Sequence, residues 1–268
     1  MPICPPYFSQ RLFLNNMKST HANPWKQNYD AYTKEDQKVW RILFDRQMKI
    51  LPDVASSVYL EGIRKIDFRK DRIPDFQVTN LLLESLTGWS LHEVPGILPV
   101  RDFFELLHKK KFSATTWLRK MSQLDYLEEP DMFHDVFAHV PLLTNNHFCD
   151  FFHGVSKIAM KYVDHPQAVE LLGRLYWFTV EFGLIWEEDS YKIYGAGILS
   201  SGGETAYCLG SEPERVPYDV QEIFNTPYRT DVFQQKYFVI DSFEQLYHSL
   251  GQVEEILKRN LNLLERAA

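Results

Sequence analysis

The run Pro130-Asp-Met-Phe-His-Asp-Val-Phe-Ala-His-Val-Pro-Leu-Leu143 decides how the rest of this 268-residue chain is read. Pro130 suits the first position of a helix, and Asp125, Glu128, Glu129 and Asp131 put negative charge where a helix amino terminus favours it. Pro141 stops that helix near Val140, after about ten residues. Inside it His134 and His139 sit among Phe133, Val136, Phe137 and Val140, all of them core-like. An imidazole in such surroundings must be hydrogen-bonded, stacked or coordinated. Either histidine alone reads as a satisfied core residue; the pair, behind an acid-rich lead-in, also reads as two metal ligands. Their spacing is awkward. Five positions along an ideal α-helix turn them ~140° apart, at ~100° per residue, and the zinc-protease spacing H-E-x-x-H is absent. One ion meets both only in the angle between them, near the helix end.

Glu181 is the second unusual residue. Its neighbours three and four positions away, Trp177, Phe178, Leu184 and Ile185, are apolar, and an ionised carboxylate there costs several kcal/mol unless paired or bound to metal. Alone, an ion pair with a residue such as Arg119, or a protonated carboxyl, accounts for it. Beside His134 and His139, coordination accounts for it better. Two histidines and one carboxylate with open positions form the facial triad of non-haem Fe(II) oxygen chemistry, and two histidines and a glutamate also hold catalytic zinc. The donor set leaves the metal open, and a zinc hydrolase stays as an alternative.

Composition narrows the class. Hydrophobic residues make up 45% and aromatics 15%, so the chain folds and buries a sizeable core. A net charge of -7 argues against nucleic-acid or anionic-membrane partners. Cys4, Cys149 and Cys208 are odd in number and far apart, without a C-x-x-C pair, which favours a reducing cytoplasm over a disulfide framework. The apolar run from Leu175 to Trp186 is broken by Thr179 and Glu181 and is too short to span a bilayer.

Along the chain, residues 1–24 read as irregular, with Met17 an alternative start. Residues 25–268 read as a single mainly α domain with a few short strands. Thr33 with Asp36 predicts a capping box, followed by the stripe Val39, Trp40, Leu43 and Met48. Thr115 to Leu118 and Tyr237 to Ile240 read as extended, and Trp89 to Val100 as loop or brief strand. Pro166 to Gly183 predicts a buried helix, and residues 242–266 a final amphipathic helix that packs on the core or supports a dimer. Gly195, Gly197, Gly202 and Gly203 match neither G-x-G-x-x-G nor the P-loop and read as places of close backbone approach. Ser201, three residues before Glu204, reads as a helix cap. Arg119 is able to clamp a carboxylate bidentately.

Three segments together resemble the pterin-dependent aromatic amino acid hydroxylases, and most closely their short bacterial, phenylalanine-hydroxylating branch: Glu129 to Leu143, Tyr176-Trp-Phe-Thr-Val-Glu181-Phe-Gly-Leu184, and Tyr194-Gly-Ala-Gly-Ile-Leu-Ser-Ser201. Trp25, Val39-Trp40 to Arg46-Gln47 and Asp125-Tyr126-Leu127 share the likeness, which covers residues 25–243. The resemblance implies that family's catalytic-domain fold, with Fe(II) on His134, His139 and Glu181 and tetrahydrobiopterin against Phe103, near Gly96, Leu98, Val100 and Asp135. It implies that Arg119 binds the substrate carboxylate and that Leu127, Trp177, Phe182, Gly197, Ser200 and Ser201 line the amino-acid pocket. The implied reaction converts L-phenylalanine to L-tyrosine with O2 in a cytoplasmic monomer or homodimer; a tryptophan- or tyrosine-hydroxylating relative is the alternative. Thr230, where tyrosine-hydroxylating members carry Asp, tilts the substrate towards phenylalanine. Ala138 departs from the family's usual glycine, which puts the surroundings of His139 in doubt.

Overall fold

The computed structural model describes residues 25–267 apart from Tyr126 and Glu128, with side chains as far as Asn262. Segment 1–24, which the sequence reads as irregular, Tyr126 and the side chain of Leu264 lie outside what is described. The mainly helical expectation holds, with strands confined to two small sheets among the described residues.

Local chemistry starts the helices. Thr33 Oγ1 accepts from the Asp36 amide at 3.2 Å while Asp36 Oδ2 accepts from the Thr33 amide at 2.7 Å, the reciprocal box opening Lys34–Met48. That helix buries Val39, Trp40, Leu43 and Phe44. Asn145 caps Asn146–Tyr162, and Pro166 starts Pro166–Tyr176. The final segment is two helices, Phe243–His248 and Leu250–Ala267, where one was expected. Ser249 sits at the break, its hydroxyl donating to the Leu246 carbonyl at 2.7 Å and lying 2.8 Å from Tyr218 Oη. The apolar stripe is spent internally: Phe243, Leu246, Val253, Leu257 and Leu261 are all buried in the common core.

Strands β1 (Ser90–Val94) and β2 (Lys111–Thr115) pair in parallel, so the extended stretch expected from Thr115 instead ends there. The second sheet comprises β3 (Leu184–Glu187), β4 (Ser190–Ile193), β5 (Glu214–Pro217) and β6 (Lys236–Ile240), in the order β4-β3-β6-β5. Only the β3–β4 hairpin is antiparallel. Its turn uses Glu188 and Asp189 at φ 49° and 59°, conformations that two-residue hairpin turns require and that Asn-Gly would have advertised. The aromatic centre of the core lies against the His134 segment, where Trp40, Phe44, Phe133 and Phe137 meet at ring separations of 4.5–6.4 Å.

Candidate active site

His134 and His139 are not on an α-helix. Phe133–His139 is a π-helix, followed at once by a 3-10 turn, Val140–Thr144. In a turn closed by i→i+5 bonds, the residue five along returns to nearly the same face, which removes the awkward angle an α-helix imposes. Pro141 therefore changes the helix type here; the chain does not stop at it. Having no N–H, Pro141 cannot serve the carbonyl four residues back, that of Phe137; the Tyr59 hydroxyl donates to that carbonyl at 2.9 Å. Glu181 ends a second π stretch, Trp177–Glu181, in which the Phe182 amide donates to the Trp177 carbonyl at 2.9 Å.

These two irregular turns bring three donors together. Ligand atoms of His134, His139 and Glu181 all lie within 4.8 Å of one another and are buried. His139 Nε2 is 3.2 Å from Glu181 Oε1 and 3.3 Å from His134 Nε2, and His134 Nε2 is 3.6 Å from Glu181 Oε2. Neither oxygen of the fully buried Glu181 carboxylate receives a hydrogen bond of good geometry among the described residues. Burial alone would raise that carboxyl, but the field of His139 and then His134 outweighs it and holds Glu181 below its ordinary range, ionised. Burial pushes His134 down to about 4, against the attraction of Glu181.

The His134 tautomer follows from its partner. Ser200 Oγ donates to the Ala196 carbonyl at 2.9 Å and lies 2.9 Å from His134 Nδ1, so Nδ1 carries the proton that this contact uses. A lone pair on Nε2 then faces the second imidazole and a carboxylate. Such a cluster turns three donor atoms towards one another, and its N2O donor set suits iron(II). Ala138 does no damage. It is fully buried in the core, and the three donors converge with it in place.

Two clefts meet beside this cluster at Pro130. One is lined by Gly96, Leu98, Val100, Phe103 and Asp135, together with Val94, Ile97, Ser113 and Pro130; every expected pterin contact is in it. Both the amide and the hydroxyl of Thr115 donate to Asp135 Oδ2 at 2.8 Å, and burial still raises that carboxyl to about 6. The other cleft holds Arg119, Leu127, Ser200, Ser201 and His134 with Glu129 and Pro130. Trp177, Phe182 and Gly197, also expected there, form a layer of their own. The rings of Trp177 and Phe182 are 4.6 Å apart, and a β-carbon on Gly197 would come within 2.7 Å of Phe182 Cζ. Gly195 is tighter still, its absent β-carbon 2.4 Å from the Glu181 carbonyl oxygen. Ser201 is a helix cap as read, accepting from the Glu204 amide at 3.2 Å.

Arg119 does not pair with Glu181. Its Nε and Nη2 donate to Asp131 Oδ2 and Oδ1 at 2.9 and 2.8 Å, its backbone amide donates to Oδ2 at 2.9 Å, and the His134 amide donates to Oδ1 at 3.2 Å. Asp131 thus ties the candidate carboxylate clamp to His134. The sequence marked Asp131 as a helix-start acid, and nothing local told that its partner lay twelve residues upstream. Thr115, which holds Asp135, and Tyr59 carried no signal at all.

Residues 5–265 match the family described as biopterin-dependent aromatic amino acid hydroxylase. The chain is similar to the phenylalanine-4-hydroxylase of Chromobacterium violaceum, 49% identical over 222 residues covering 82% of this chain and 74% of the relative. It is similar also to that of Ralstonia nicotianae, 45% identical over 223 residues covering 83% and 71%. Among solved structures it resembles the C. violaceum phenylalanine hydroxylase with bound iron(III) and the oxidised cofactor 7,8-dihydrobiopterin, with a TM-score of 0.84 and 46% identity over 91% of this chain and 89% of that one. Since the match runs almost end to end and takes in the whole buried histidine–glutamate cluster, the chain belongs to the biopterin-dependent aromatic amino acid hydroxylases.

Proposed function

We propose that this chain is a phenylalanine 4-monooxygenase, which uses Fe(II), tetrahydrobiopterin and O2 to convert L-phenylalanine to L-tyrosine. The observation that carries the reading is the buried cluster of His134, His139 and Glu181 at the junction of two clefts. When bound, the iron and the reduced pterin supply O2 activation and the two electrons that accompany insertion of one oxygen atom into the ring. The residues do the rest. Ser200 keeps His134 in the tautomer that offers Nε2 to the metal, and Asp131 holds Arg119 rigid so that its remaining donors meet the substrate carboxylate. Asp135, fixed by Thr115, faces the pterin cleft beside Phe103. Leu127, together with Trp177 and Phe182, gives the substrate ring an apolar surround that excludes water.

Anaerobic loading with Fe(II), then addition of tetrahydrobiopterin, phenylalanine and air, should give tyrosine. An iron-free control and Glu181→Ala should give none, and tyrosine no higher with iron than without it would end this reading. Phenylalanine is the preferred substrate over tryptophan and tyrosine, to be checked by comparing kcat/KM for the three. The covered stripe of the last helix supports a monomer, and light scattering behind a sizing column measures that directly. Two buried free thiols, Cys149 and Cys208, fit the reducing cytoplasm in which we place the enzyme. No helix among the described residues is long and apolar enough to cross a membrane.

A further inference from the structure

Glu204 is a buried acid that neither the metal cluster nor the two clefts employ. It is 2% exposed, and its Oε1 accepts two hydrogen bonds, one from the Tyr237 hydroxyl and one from the Gln234 amide at 3.1 Å. A carboxyl buried this deeply is costly to keep unless its position is used. Two chains of contact lead away from it. Forwards, its own amide donates to Ser201 Oγ, on the wall of the substrate cleft. Backwards, it pins the backbone of Gln234, whose side-chain Oε1 accepts from Trp177 Nε1 at 2.9 Å. The side-chain Nε2 of Gln234 donates to the Arg229 and Val232 carbonyls at 2.9 and 3.2 Å, which holds the glutamine side chain beside the indole.

Trp177 is the centre of a three-ring stack. Tyr228 lies on it at 4.3 Å and 17°, and Phe182 at 4.6 Å and 34°. Phe182 in turn presses on Gly197, three residues before the Ser200 that faces both His134 and the cleft. Within this stack the indole N–H of Trp177 donates to Gln234, a directional contact that orients the ring.

We infer that Glu204 is a positioning residue for the aromatic substrate: through Gln234 it fixes the Trp177 ring, and with it the Phe182–Gly197 layer that backs the amino-acid cleft. Glu204 itself touches neither substrate nor metal. The inference rests on the proposed phenylalanine hydroxylation, and wild-type turnover in the same assay separates the two: no tyrosine from the wild type sinks the activity, whereas an active wild type lets the variants decide the role of Glu204.

The test is a KM-against-kcat split on holoenzyme of measured iron content. Glu204→Ala and Gln234→Met should each raise KM for phenylalanine about ten-fold while kcat changes less than about three-fold, because the loss falls on binding of the ring. Preference for phenylalanine over the bulkier tryptophan should fall as well. Glu204→Gln keeps an Oε1 acceptor for both Tyr237 and Gln234 and should restore KM to within about two-fold of wild type. The double variant Glu204→Ala/Gln234→Met should be no worse than either single one, since both cut the same chain of contacts. A merely structural role would lower stability and iron content and leave KM and selectivity in place; that result, or an unchanged KM in Gln234→Met, overturns the inference. Should Glu204→Ala not fold, Gln234→Met and Glu204→Gln still decide.

Discussion

At His134 the contact with Ser200 determines which ring nitrogen faces Glu181. The Ser200 hydroxyl is committed to the Ala196 carbonyl, so it can only accept from Nδ1, and Nε2 is left as the ligand atom. Ser200→Ala should weaken iron(II) binding about 10–100-fold, the usual cost of losing a group that orients a ligating imidazole. An anaerobic iron titration checks it, and wild-type affinity would show that the ring is held by packing alone. Glu204 gives a prediction of a different kind. Burial raises its carboxyl from 4.5 to about 7, with the Tyr237 and Gln234 hydrogen bonds opposing that rise. Between those two values the folded chain keeps a proton that the unfolded chain has released, so the stability this group contributes is complete below about 4.5 and is lost as pH rises through about 7. The loss is on the order of 3 kcal/mol. Urea midpoints for wild type should therefore fall relative to Glu204→Gln between pH 5 and 7.5; parallel curves for the two proteins would refute it.

The elements that matter most are those whose hydrogen-bond register is least regular. The segments that carry His134, His139 and Glu181 both pass through π turns, and the first is bounded by a proline that leaves the Phe137 carbonyl without its helical donor. Tyr59, from the Ser57–Lys65 helix, fills that vacancy. Tyr59→Phe should cost about 1–3 kcal/mol, the penalty for a buried carbonyl left unpaired, and should also loosen the segment that carries His139. Equilibrium denaturation reads the first effect and iron affinity the second. Local signals announced many element starts correctly: Thr33 with Asp36, Pro166 and Ser201 all act where the sequence puts them. Periodicity could not announce a π register, because α and π turns bury the same residue types and differ only in which amide finds which carbonyl.

Across the whole molecule, stability and the proposed function meet at the cluster of His134, His139 and Glu181. Three buried donor atoms that face one another favour a cation, so iron should stabilise the fold in proportion to RT ln(1 + [Fe]/Kd). At about a hundred-fold excess over Kd this predicts a rise in Tm of roughly 5–10 °C for a chain of this size. Anaerobic thermal scans with Fe(II) and with a chelator test it; identical curves for iron-loaded and chelated protein would mean the cluster is not where the metal binds.

The sequence by itself determined the ligand types, the helix caps, the sheet-poor architecture and the family likeness. Each of these is written in neighbouring residues: an acid set among apolar side chains, a threonine three residues before an aspartate, motifs preserved in order. Only the tertiary structure decided that His134 and His139 share a face, that Arg119 answers Asp131 and not Glu181, and that Glu204 reaches Trp177 through Gln234. Glu204 and Gln234 are thirty residues apart, and Gln234 and Trp177 fifty-seven. Contacts at that separation depend on how helices and strands pack, and packing is chosen by the whole core at once, so no local pattern could record them.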